Sequence, residues 1–152
     1  MSNVVENVLV VSGKHSDITS FDLKFRADKE NTDENYSFKN LYSDTEQTVP
    51  YSCEWCEEHW GVKGDFNRES FARDTIRQGE METYYYFDTE NKSPELLIMH
   101  VSADFPELEF TLISSESGSK SGNLVVFDRG KEKTKEQLSE ADASYWFGDE
   151  EE

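Results

Sequence analysis

The run Met81–Thr89, METYYYFDT, constrains the fold of this chain more than any other stretch. Extended, it sends Tyr84 and Tyr86 to one side and Tyr85 and Phe87 to the other. Aromatic and β-branched residues favour strands, and three further runs share that character. Asn3–Ser12 carries Val4, Val5, Val8, Leu9, Val10 and Val11, with Gly13 at its end. Leu108–Ser114 places Leu108, Phe110 and Leu112 on one face, and Asn123–Asp128 (NLVVFD) returns as a hairpin after the Ser/Gly turn Glu116–Gly122.

Helical signals fall between these runs. Ser16 or Asp17 is expected to cap a helix carrying Ile18, Phe21, Leu23 and Phe25. Ser93-Pro94-Glu95 opens a second, with Ser93 as N-cap and Pro94 at the first helical position, and Leu96, Leu97, Met99, Val101 and Ala103 follow before Pro106 stops it. Ala27–Asn35 is expected to be a polar surface loop or an insertion, Tyr36–Tyr42 to dock on the core without clear periodicity, and Arg68–Gln78 has no defined type. Lys131–Glu152 begins as a mixed-charge helix, KEKTKEQLSEADASYWF, and ends in an acidic tail. The order βα…β, α, β, β predicts an α+β two-layer sandwich, an antiparallel sheet with helices packed on one face.

Length and composition narrow the function. At 152 residues the chain makes one domain with a real core. Its 33 acidic against 15 basic residues give a net charge of −18. Such a field opposes nucleic-acid phosphate and anionic membrane surfaces and favours basic partners. No apolar run approaches the roughly 20 residues of a membrane span, and the N-terminus has neither a basic leader nor a cleavage site. Cys53 and Cys56 make no disulfide framework, so a reducing cytoplasm, that of a host cell, is the expected home.

Tyr51–Asn67, YSCEWCEEHWGVKGDFN, is the densest mixture of aromatics and potential ligands. Glu54–Trp60 is expected to form a short helix that pairs Trp55 with His59 and Cys56 with Trp60 one turn apart, stopped by a left-handed Gly61. Cys53-x-x-Cys56 with His59 has metal-like spacing, but a structural zinc site takes four ligands, and His15 and His100 are distant in sequence. A redox role is opposed by Glu54, Glu57 and Glu58, because negative neighbours raise a thiol's pKa. Trp55 and Trp60 lack the basic groove of a single-strand platform, and Lys63, Arg68, Arg73 and Arg77 alternate with Asp65, Glu69 and Asp74 as a salt-bridged surface would. Walker, dinucleotide, nucleophile-elbow and HExxH patterns do not occur. No catalytic, cofactor or metal residue is therefore expected, and the chain does not read as an enzyme.

Four ordered pieces carry a family likeness: NVVENVLVVSG at the start, SFKNLY, WCEEHWGVK at Trp55–Lys63, and YYFDTENKSPELLIMHVSADFPELEFTL at Tyr85–Leu112. Together they resemble the YubB-type ferredoxin-like domain family of plasmid and phage proteins. His59 stands where relatives usually carry Asn, and Gly64 replaces their following aromatic. The resemblance implies a ferredoxin-like two-layer sandwich over residues 1–131, a C-terminal helix and acidic tail over 132–152, and an origin in a mobile element. It implies no enzyme activity.

Acids fall on several segments: Asp17–Glu34, the tryptophan block, and the C-terminal run, where Lys135 is the lone base after Thr134. Spread carboxylates can occupy a groove built for phosphates, and Tyr145-Trp146-Phe147 beside the acidic end is either a partner anchor or the face through which the helix docks on the core. The expectation is a small acidic mobile-element protein that binds and inhibits a basic host protein, a nucleic-acid-binding or defence factor such as a CRISPR or restriction complex. The expected partner-binding residues are Glu54, Glu57, Glu58, Tyr145, Trp146, Asp149, Glu150, Glu151 and Glu152. A nucleic-acid-interacting accessory domain, using the tryptophan block and its neighbouring bases, is the first alternative, and a metal- or thiol-dependent site at Cys53, Cys56 and His59 is the second.

Overall fold

The structure is a computed structural model that describes residues 4–30, 35–41, 53–62, 64–73, 82–116 and 122–147, the side chains of Cys53, Trp55, Arg68 and Ser144 excepted. Six strands form one antiparallel sheet: β1 (Val4–Ser12), β2 (Ala72–Arg73), β3 (Glu82–Glu90), β4 (Glu109–Glu116), β5 (Gly122–Asp128) and β6 (Lys131–Leu138), in the order β2-β3-β1-β4-β5-β6. The helices are α1 (His15–Phe25), α2 (Cys53–Trp60), α3 (Glu95–Asp104) and α4 (Glu140–Phe147).

The apolar β1 sits at the centre because both its faces are apolar. Leu9 and Val11 join the core under α1, α2 and α3, while Val8 and Val10 join a smaller cluster on the opposite face. The same alternation sends Tyr85 and Phe87 of β3 into the main core and Tyr84 and Tyr86 to the other side. The main core is aromatic. Phe21 meets Tyr85, Phe105 and Phe110 edge-on at 5.3–5.8 Å, and Phe38 meets Trp60, Phe66 and Phe87 in the same way.

The structure corrects the expected ferredoxin-like two-layer sandwich with helices packed on one face. The segment carrying α1 and α2 crosses from β1 over β3 to the two-residue edge strand β2, and α3 links β3 to β4 on either side of β1. The sheet has six strands, and its helices do not share one face. Ala143, Trp146 and Phe147 of α4 pack on Val8, Val10, Ile113 and Tyr84, opposite the other three helices.

Local expectations are corrected in three places. Lys131–Leu138 is a strand, not a helix, and pairs with β5 from Asp128↔Lys131 to Gly122↔Leu138. Its cause is the two-residue turn Arg129-Gly130, with φ of 55° and 82°. Left-handed geometry at both central positions is what a tight hairpin uses, and the Gly130 N–H donates to Ser102 Oγ of α3 at 2.8 Å. Helix α1 begins at His15 with Lys14 at its N-cap, and Pro94 occupies the N-cap of α3, neither supplying a side-chain cap. Finally, the buried stripe of α1 is Ile18, Phe21, Asp22 and Phe25, with Leu23 only half-buried. An i, i+3, i+4, i+7 stripe runs through position 22.

Asp22, 4 % exposed, ties that stripe to three other segments. Tyr85 Oη donates to it at 2.6 Å, Tyr36 Oη at 2.9 and 3.0 Å, and Arg26 Nε at 2.9 Å, while Arg73 Nε lies 3.8 Å away. Burial, then the Asp22 charge, holds both tyrosine hydroxyls well above the usual tyrosine range. Both therefore remain neutral donors to the carboxylate.

Candidate functional site

The helix-side face of the sheet is apolar over most of its length but turns polar at one end. The same alternation that buries Leu9 and Val11 puts Asn7 on this face, opposite Ser114 of β4, which in turn stands opposite Asn123 of β5. Asn7 Nδ2 donates to Thr89 Oγ1 at 3.0 Å and to the Val5 and Phe87 carbonyls at 3.2 Å. Its Oδ1 has no hydrogen-bond partner among the described residues. Ser114 is 6 % exposed. A core built for stability alone would place apolar side chains along this row.

Over this polar end opens a cleft of about 540 Å³, lined by the sheet floor, the start of α3 and the end of α2. The volume lies within the roughly 300–1,000 Å³ typical of ligand pockets. Gly61 shapes one wall. Its φ is +90°, and a Cβ there would sit 3.4 Å from both the Leu96 nitrogen and the Ser93 oxygen, so the α2 turn packs backbone-close on the start of α3. Carboxylates come from three elements: Glu57 of α2, Glu95 of α3 and Glu116 of β4. Lys92 Nζ reaches Glu57 at 3.1 Å and Lys135 Nζ reaches Glu95 at 3.4 Å. Glu116 has no cation partner among the described residues. Val5 and the exposed Leu96 supply an apolar wall.

The expected site residues divide between the two faces. On α2, helical spacing turns Cys56 and Trp60 into the core and leaves Glu54 and Glu58 exposed one turn apart, with half-buried Glu57 at the cleft. Tyr145 and Trp146 lie across the sheet, so the structure does not bring them together with the α2 glutamates. They also differ from each other. Trp146 packs on Tyr84, centroids 6.1 Å apart, whereas Tyr145 is 78 % exposed and meets Trp146 edge-on at 5.1 Å. Asp149, Glu150, Glu151 and Glu152 lie outside the described residues, as do Lys63 and Arg77 of the basic series. Arg73 of that series is turned toward Asp22.

Among the described residues no group of three or more His, Cys, Asp or Glu could hold a metal ion. Cys56 packs in the main core. Among them, too, no helix is long and apolar enough to cross a membrane. Sequence reasoning missed Asn7, Lys92, Glu95, Ser114, Glu116 and Asn123. The readable signal was Asn7, a polar residue at a core-facing parity of an otherwise apolar strand.

No protein-family model matches the chain, and no curated protein matches it either. Among solved structures, protein api92 from Yersinia pseudotuberculosis, assigned to the family model DUF1281, is similar with a TM-score of 0.46 and 16 % identity. The match covers 61 % of this chain and 32 % of that one, so the chain spans about a third of the length of that neighbour.

Proposed function

We propose that this chain is a small acidic binding protein that docks on a basic protein surface, with the cleft end of the sheet as the docking region. The observation that carries the reading is the placement of acids there. Glu54 and Glu58 stand exposed on α2 beside Glu57, and Glu95 and Glu116 complete the rim from two further elements. Carboxylates fixed on separate elements of one rigid layer can match a basic surface, steer its approach and set its register. The partner class that fits is a protein whose own surface binds nucleic-acid phosphate, such as a host nucleic-acid-binding or defence factor. In that setting the chain would act by occupying the partner's basic groove. Tyr145 and Trp146, on the far face, stand outside the core of this reading.

Affinity capture from host-cell lysate tests it, comparing the native chain with the variant Glu54→Lys/Glu57→Lys/Glu58→Lys. A basic protein retained by the native chain at moderate salt and lost by the variant supports the proposal. Equal retention by both removes the α2 glutamates from the interface.

A further inference from the structure

We infer that the cleft is a receptor pocket for a single arginine side chain of the partner. This rests on the docking reading above and names what its centre recognises. Three features of the cleft act together. The rim carries Glu57, Glu95 and Glu116, the last unengaged by any described cation. The floor carries Ser114, 6 % exposed, which lines the cleft. Beside it Asn123 offers a second neutral polar group. Between rim and floor, Val5 and the 41 % exposed Leu96 form an apolar wall.

Arginine fits all three. Its methylenes can lie along apolar surface, and its planar guanidinium offers five donors in a fork that pairs bidentately with a carboxylate while reaching neutral acceptors. Lysine supplies a compact charge without the fork and holds its water more tightly. The Lys92–Glu57 and Lys135–Glu95 contacts are exposed and weak, so they leave Glu116 as the principal counter-charge.

The test is a titration of the full chain, followed by amide chemical shifts at low salt, with the blocked pentapeptide Gly-Gly-Arg-Gly-Gly and its lysine and citrulline counterparts. The arginine peptide is expected to shift Leu96, Ser114 and Asn123 saturably, with lysine at least threefold weaker and citrulline inert. Glu116→Gln, at an exposed position, should weaken the arginine peptide at least fivefold, and Ser114→Ala at least threefold, with the rest of the spectrum unchanged. Equal affinity for arginine and lysine, shifts scattered over the acidic surface, or no shift at the cleft each overturns the pocket. Those results do not touch the lysate capture, which fails separately if the docking reading itself is wrong.

Discussion

Replacing Asp22 with alanine should remove a large share of the stability of this fold. The carboxylate is 4 % exposed and receives Tyr85, Tyr36 and Arg26 at 2.6–3.0 Å, with Arg73 at 3.8 Å. Removing one member of a buried charged set costs about 3–5 kcal/mol, because the remaining charges and donors are left uncompensated. Arg26 and Arg73 keep 17 % and 12 % of their side-chain surface, so water relieves part of that cost. The expected loss is therefore about 3 kcal/mol, set against a total of roughly 5–15 kcal/mol for a domain. Tyr85→Phe deletes one hydrogen bond to a charged acceptor and should cost about 1.5 kcal/mol. Urea unfolding followed by tryptophan fluorescence measures both, with an unchanged denaturant slope confirming that compactness is the same. A loss below about 1 kcal/mol for Asp22→Ala would refute the claim that this carboxylate holds α1, the Tyr36 segment, β2 and β3 together.

Three further perturbations separate other parts of the account. Burial raises the pKa of Asp88 above its ordinary 3.8, so the folded state binds its proton more tightly. The favourable contribution is present below pH 3.8 and is lost as pH rises through the raised folded value. Asp88→Asn should thus raise the urea midpoint at pH 7 and leave it unchanged near pH 3. Gly130→Ala places a Cβ at φ +82° and 3.0 Å from that of Ala103, and should lower the thermal midpoint by several degrees through about 1–2 kcal/mol of turn strain. Trp146→Ala should cost about 2 kcal/mol by stripping α4 from Tyr84, while Tyr145→Ala stays within about 0.5 kcal/mol because the ring is exposed; equal losses would contradict the placement of α4.

Much of the sheet was legible in the sequence because strand alternation is local. The faces of Tyr84–Phe87 follow from parity alone, and so does the core position of Asn7. Elements whose form depends on distant pairing were not legible. KEKTKEQL is rich in helix formers, yet the left-handed Arg129-Gly130 turn delivers it to β5. Backbone pairing outweighs propensity there, and its exposed lysines suit an edge strand that must avoid further pairing. Asp22 was passed over because a charged residue in a helix reads as solvent-facing, and its partners Tyr36, Arg73 and Tyr85 come from far along the chain. The cleft was hidden for the same reason: Asn7, Ser114 and Asn123 meet only through the β1-β4-β5 register. The division between the α2 glutamates and the Tyr145-Trp146 pair is likewise a property of the topology, which puts α4 behind the sheet.

The central claim is that carboxylates at the cleft end, and not net charge at large, recognise a basic partner. Its most direct test is the dissociation constant of the captured partner for two triple reversals carrying the same total charge. One changes Glu54, Glu57 and Glu58 to lysine, and the other changes Glu132, Glu136 and Glu140 of β6 and α4. The first should weaken binding at least tenfold and flatten its salt dependence, and the second should change it less than twofold. Equal weakening by both would contradict the claim and reduce the interaction to generic attraction between opposite charges.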